Sequence, residues 1–121
     1  VTGRFAWASA RTVTKQDRPY RPMVEATDGE EIARHEDFSG TIAGFRTPLY
    51  ESGISVAGCH AHIINDDRTW GGHLVDFVLE EGEAELCLGT DFRMRLPLTE
   101  EFRTVDLSED KTEEIRRVEH H

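Results

Sequence analysis

Apolar and polar residues alternate one for one along much of this chain, the two-residue period of β-strands. Residues 3–13 predict a first strand, with Phe5, Trp7, Ser9 and Arg11 on one face and a β-branched end at Thr12-Val13. Residues 15–29 are loop-like, carrying Pro19, Pro22 and Asp28-Gly29. Glu30 to His35 reads as a short helical turn or an irregular segment. Phe38 to Arg46 is strand-like again, with Gly40 and Gly44 at bends or close backbone approaches. A turn over Thr47–Gly53 leads to a strand from Ile54 to Ile64. Neither of its faces is strongly polar, so both are covered or one lines a pocket. Asn65 to Gly71 is a polar turn, and Gly72 to Glu80 is the return strand. Glu81-Gly82 reads as a hairpin tip leading to strands over 83–89 and 92–96, the last stopped by Pro97. Leu98 to Arg103 predicts a helical turn. Ser108 or Asp110 caps a final helix with Ile115 and Val118 as its apolar positions. The expected class is mainly β (α+β): an antiparallel sheet, sandwiched or open and barrel-like, with short helices near the C-terminus.

A length of 121 residues fits one domain, 1–121. No stretch approaches the roughly 18 apolar residues of a membrane-spanning helix. The 24 acidic against 14 basic residues give a formal charge of -10, which disfavours nucleic acid as a partner. Small anionic substrates remain compatible, because a single inward arginine binds a carboxylate whatever the net charge. Cys59 and Cys87 are too few for a disulfide framework and read as small core residues, with one bridge between them left open. The chain opens on Val1, without an initiator methionine or a leader, and enters a strand almost at once. That start is read as a piece cut from something longer. The expected location is the cytoplasm, with secretion of the full-length protein as the alternative. His120 and His121 have the look of a purification tag and are set aside.

The candidate chemistry lies in the centre. His60-Ala61-His62 places two imidazoles on one strand face. If the following hairpin folds symmetrically about residues 67 and 68, His73 falls directly opposite His62. A lone His-x-His pair is more often structural. A third histidine brought in by register makes a three-histidine site with an open position, the catalytic zinc pattern. Arg11 has two readings, an inward partner for a carboxylate or a strand-end arginine in water. Glu119 reads as a terminal charge that reaches a site only if the tail folds back. His35 is expected at the surface, Tyr20 in packing, and Glu80-Glu81-Gly82-Glu83 at a solvated tip.

Several collinear blocks resemble the bacterial α-acetolactate decarboxylase family. They are Arg11-Thr12-Val13 with Pro19-Tyr20-Arg21-Pro22-Met23, then Gly40-Thr41-Ile42-Ala43-Gly44-Phe45-Arg46-Thr47-Pro48. Gly53 to His62 and Asp67-Arg68…Gly71-Gly72-His73-Leu74-Val75-Asp76 follow. The resemblance implies zinc-dependent decarboxylation of 2-acetolactate to acetoin and carbon dioxide. It implies His60, His62 and His73 as metal ligands, with Arg11 and Glu119 as active-site residues. It also implies homodimers. The family's chains are much longer. The part resembled here is their C-terminal, metal-binding half, and the N-terminal half, with a further active-site glutamate, has no counterpart. Cys59 stands where the family usually has an aromatic residue. Two other readings are weighed beside this one. A cupin-like metal barrel also carries His-x-His, but with a glutamate soon after and a distant later histidine; here Asp66 and Asp67 follow, and His73 comes sooner. A non-catalytic metal-binding or dimerisation fragment is the other.

Overall fold

The computed structural model describes residues 1–13, 15–27 and 31–119, the side chain of Glu119 excepted. Among the described residues, four strands carry the fold: β1 (Thr2–Arg11), β2 (Ile32–Thr47), β3 (Gly58–Asn65) and β4 (Gly71–Glu83). All pairings are antiparallel. β1 pairs with β2 on one side and with β4 on the other, so the expected barrel-like sheet closes in the order β1-β2-β3-β4. Closure leaves no free edge along the paired register. Among the described residues, three short helices accompany the sheet: α1 (Met23–Ala26), α2 (Glu100–Thr104) and α3 (Thr112–Glu119). The class is therefore mainly β with a few short helices, as the alternation implies.

The core is small and sits inside the barrel. Phe5, Ala8, Ala10, Ile42 and Ile63 are buried, with Phe38, Trp70, Leu74 and Leu79 packed against them. Phe5 stacks on Phe38 at 5.1 Å between ring centroids. The barrel's narrow bore explains the alanines, since larger side chains would meet those of facing strands. The β1–β4 register shifts between Phe5 and Trp7 and again between Ser9 and Ala10. The first of these moves the buried phase from Phe5 to Ala8 and Ala10. Arg11 therefore does not share a face with Phe5 as strict alternation would have it.

Several local expectations are corrected by long-range pairing. Residues from Ile32 onward are strand, not a helical turn, because Ile32 pairs with Arg11 and His35 with Ala8. Ile54 to Ala57 are not strand. A 3₁₀ turn over Leu49–Glu51 extends as Ile54 N and Ser55 N donate to Glu51 O, at 2.9 and 3.1 Å. β3 begins only at Gly58, whose φ of 102° suits glycine. Glu81-Gly82 does not turn. It pairs with Arg4 and Gly3 and carries β4 on to Glu83. The expected strands 83–89 and 92–96 are absent, and residues 84–98 run without regular structure. Leu86 and Leu88 are 95% and 91% exposed there. Cys59 and Cys87 are free and exposed rather than core. Tyr20 is exposed rather than packed. His35 is half-buried, stacked on Trp70 at 3.7 Å, rather than a surface residue.

Candidate metal centre

The β3–β4 turn sets the site's geometry. Asn65 is buried at its start. Its Oδ1 accepts from Thr69 N and Trp70 N at 3.0 and 3.1 Å, and its Nδ2 donates to Thr69 Oγ1 at 2.8 Å. Arg68 takes a left-handed φ of 54° within the turn. Held this way, the strands leave the turn with His62 directly opposite His73 and Ile63 opposite Gly72. Directly opposed residues share a face, and so do residues two apart on a strand. His60, His62 and His73 therefore project together, away from the side on which Ile63 joins the core. Arg11 pairs with His73 across β1 and β4, which adds its guanidinium to the same row.

Close strand contact behind the histidines depends on missing side chains. A Cβ at Gly44 would collide with His60 O and lie 2.6 Å from Ala61 Cα. One at Gly72 would lie 2.5 Å from Arg11 O. Both glycines let neighbouring backbones approach where the imidazoles and Arg11 emerge.

The three rings converge. Centroid distances are 5.3 Å for His60–His62, 4.9 Å for His60–His73 and 5.5 Å for His62–His73. One ligating nitrogen from each lies within 4.8 Å of the others. The Nε2 atoms of His60 and His62 are 3.3 Å apart. Zinc–nitrogen bonds of about 2.0–2.1 Å at tetrahedral angles separate two nitrogens by about 3.3–3.4 Å, so this pair has a fitting span. An all-imidazole donor set suits zinc and other borderline divalent ions better than magnesium or calcium.

The histidines line a cavity of about 240 Å³ together with Arg11, Val13, Met23, Thr27 and Val118. That is smaller than the roughly 300–1,000 Å³ typical of drug-sized ligand sites. α3 packs against α1, and both contribute to its wall. Arg11 Nη2 donates to the carbonyl of Val118 in α3. This contact ties the helix to the strand that presents the arginine. Arg11 is half-buried at the cavity beside the histidines, not a strand-end arginine in water. Glu119 closes α3 one residue beyond Val118, but its side chain lies outside the described residues, as do His120 and His121. Sequence reasoning missed Asn65 and the lining residues Val13, Met23, Thr27 and Val118. Asn65 at the head of the turn carried a readable signal, because asparagine side chains bond turn amides. Met23 and Val118 carried none, since only the packing of α1 and α3 brings them to the histidines.

The family model for alpha-acetolactate decarboxylase matches residues 1–109. This chain belongs to the alpha-acetolactate decarboxylase family. An alpha-acetolactate decarboxylase of Methanosarcina mazei is 37% identical over 119 residues, 98% of this chain and 41% of its own length. The Bacillus licheniformis member is 40% identical over 108 residues, 89% of this chain and 43% of its own. The crystal structure of the Bacillus subtilis strain 168 member superposes with a TM-score of 0.77 at 36% identity, covering 98% of this chain and 51% of that one. The chain thus spans about two fifths of these curated family members.

Proposed function

We propose that this chain is the C-terminal, metal-binding part of an acetolactate decarboxylase, and that its site serves the zinc-dependent conversion of 2-acetolactate to acetoin and carbon dioxide. The observation that carries this reading is the convergence of His60, His62 and His73 beside Arg11 in one small cavity. His60, His62 and His73 would hold the metal. Bound zinc supplies a Lewis acid for the electron pair left when carbon dioxide departs, and neutral imidazoles leave its full charge available.

The chain's own residues supply the rest. The substrate carboxylate must leave as neutral carbon dioxide, so gripping it hard would stabilise the ground state. Arg11, held by the Val118 carbonyl, orients the substrate and offers N–H donors to the negative charge that develops. The carbon that loses carbon dioxide must gain one proton, and Glu119 at the end of α3 is the residue proposed to relay it. We place the molecule in the cytoplasm and expect homodimers.

Elemental analysis of protein lacking His120 and His121 tests the metal reading. About one zinc per chain is expected, lost in His62→Ala; no zinc in the parent protein overturns it. A second reading, a metal-binding fragment without turnover, is supported by the chain's two-fifths share of its relatives. Acetoin production from 2-acetolactate by the zinc-loaded chain distinguishes the two, and Arg11→Ala is expected to abolish any turnover seen.

A further inference from the structure

The cavity is lined by residues of two kinds. His60, His62, His73, Arg11 and Thr27 are polar, and Val13, Met23 and Val118 are apolar. A substrate whose oxygens meet the histidines and arginine leaves its alkyl groups to the apolar lining residues. The three apolar residues differ in how firmly they are held. Val118 is buried, and its carbonyl accepts from Arg11, so its position is coupled to the arginine. Val13 lies two residues beyond the end of β1. Met23 opens α1, directly after Pro22, and is 60% exposed. Its backbone is fixed, because its carbonyl accepts from Thr27 N at 2.9 Å and α1 packs on α3. Its side chain is unbranched, with three rotatable bonds, and adapts to what it meets. An apolar side chain on a fixed backbone at the rim of a polar site loses its water only when a ligand covers it.

Resting on the decarboxylase reading above, we propose that Met23 is a specificity-determining residue that sets the size of the alkyl group accepted on the substrate's hydroxyl-bearing carbon. The ligand class is a short 2-alkyl-2-hydroxy acid. Methyl fits against the thioether, and each further methylene must displace it. Discrimination by one methylene in an apolar pocket spans about 10–200-fold, and a flexible methionine places this site toward the low end.

The test uses the zinc-loaded chain and two unreactive acids that lack the ketone and so cannot lose carbon dioxide by this route. They are 2-hydroxy-2-methylpropanoate and 2-ethyl-2-hydroxybutanoate. Calorimetry gives the ratio of their affinities in the parent protein, Met23→Ala and Met23→Phe, with zinc content measured for each. The parent is expected to prefer the smaller acid. Met23→Ala should move the ratio at least about fivefold toward the larger acid, and Met23→Phe should move it the other way. Leu49→Ala, at an exposed residue outside the cavity, should leave the ratio unchanged. Equal ratios in all proteins with zinc retained would overturn the Met23 assignment and leave the metal reading standing. Failure of the smaller acid to bind the zinc-loaded parent overturns it as well. Absence of zinc from the parent would sink the metal reading itself, and the assignment with it.

Discussion

Asn65 holds the β3–β4 turn with both ends of its carboxamide, and the turn in turn decides which residue stands opposite His62. A one-residue slip would send His73 to the other face of the sheet and bring Gly72 or Leu74 in its place. Asn65→Ala would leave the amides of Thr69 and Trp70 without their acceptor at a buried position. The expected cost is about 1–3 kcal/mol in denaturant unfolding, together with weaker zinc binding. Asn65→Asp keeps the acceptor and loses only the donor to Thr69, so its loss should be smaller. Equal losses in the two variants would show that the Oδ1 contacts do not set the register. The three histidines were legible at this scale, since their spacing and the turn's symmetry are properties of the sequence. Met23 and Val118 were not, because nothing local marks a residue that reaches a site only by packing.

At the scale of elements, α3 matters because it ends at the cavity. Its first turn is secured by Asp110, whose Oδ1 accepts from Thr112 N at 2.9 Å. Hydrogen bonds from the Thr112 side chain and backbone, with the charge of Arg116, hold the Asp110 carboxyl below its usual range. The ionised form is thus favoured in the folded helix. Its contribution is present above the ordinary carboxylate range and is lost as pH falls through the lowered value. Circular dichroism should show α3 fraying in acid, with Asp110→Ala already frayed at neutral pH and less sensitive to acid. If the two proteins lose helix in parallel as pH falls, Asp110 is not the titrating cap. The strands show the opposite balance of local and distant forces. Ile32–His35 and Glu81-Gly82 lie in strands because β1 offers them backbone partners. Residues 84–98 have the alternation of strands without a partner strand, and they form none.

For the whole molecule, a core of Phe5, Ala8, Ala10, Ile42 and Ile63 is little for a chain of 121 residues. Small cores leave small net stabilities, and a ligand that binds only the folded form then counts heavily. The three histidines meet only when β3 and β4 pair, so zinc should bind the folded barrel and not the unfolded chain. At a free zinc concentration one hundred times its dissociation constant the gain is about 2.7 kcal/mol. Thermal unfolding should move upward with zinc, return with a chelator, and be insensitive to zinc in His62→Ala. An upward shift that persists in that variant would place the ion elsewhere.

The sequence by itself determined the mainly β class, the antiparallel order of its central strands, and the convergence of His60, His62 and His73. Each follows from a short-range rule: alternation along a strand, and reflection through a tight turn. Tertiary structure decided the rest. The barrel closes because β1 has two edges and both find partners. An extra residue in β1 between Phe5 and Trp7 shifts its buried phase, a change that alternation cannot register. Arg11 joins the histidines through pairing with a strand some sixty residues away in sequence, and through the Val118 carbonyl. Cys59 and Cys87 lie in apolar sequence and yet are exposed, because burial depends on what packs against a segment as well as on its composition.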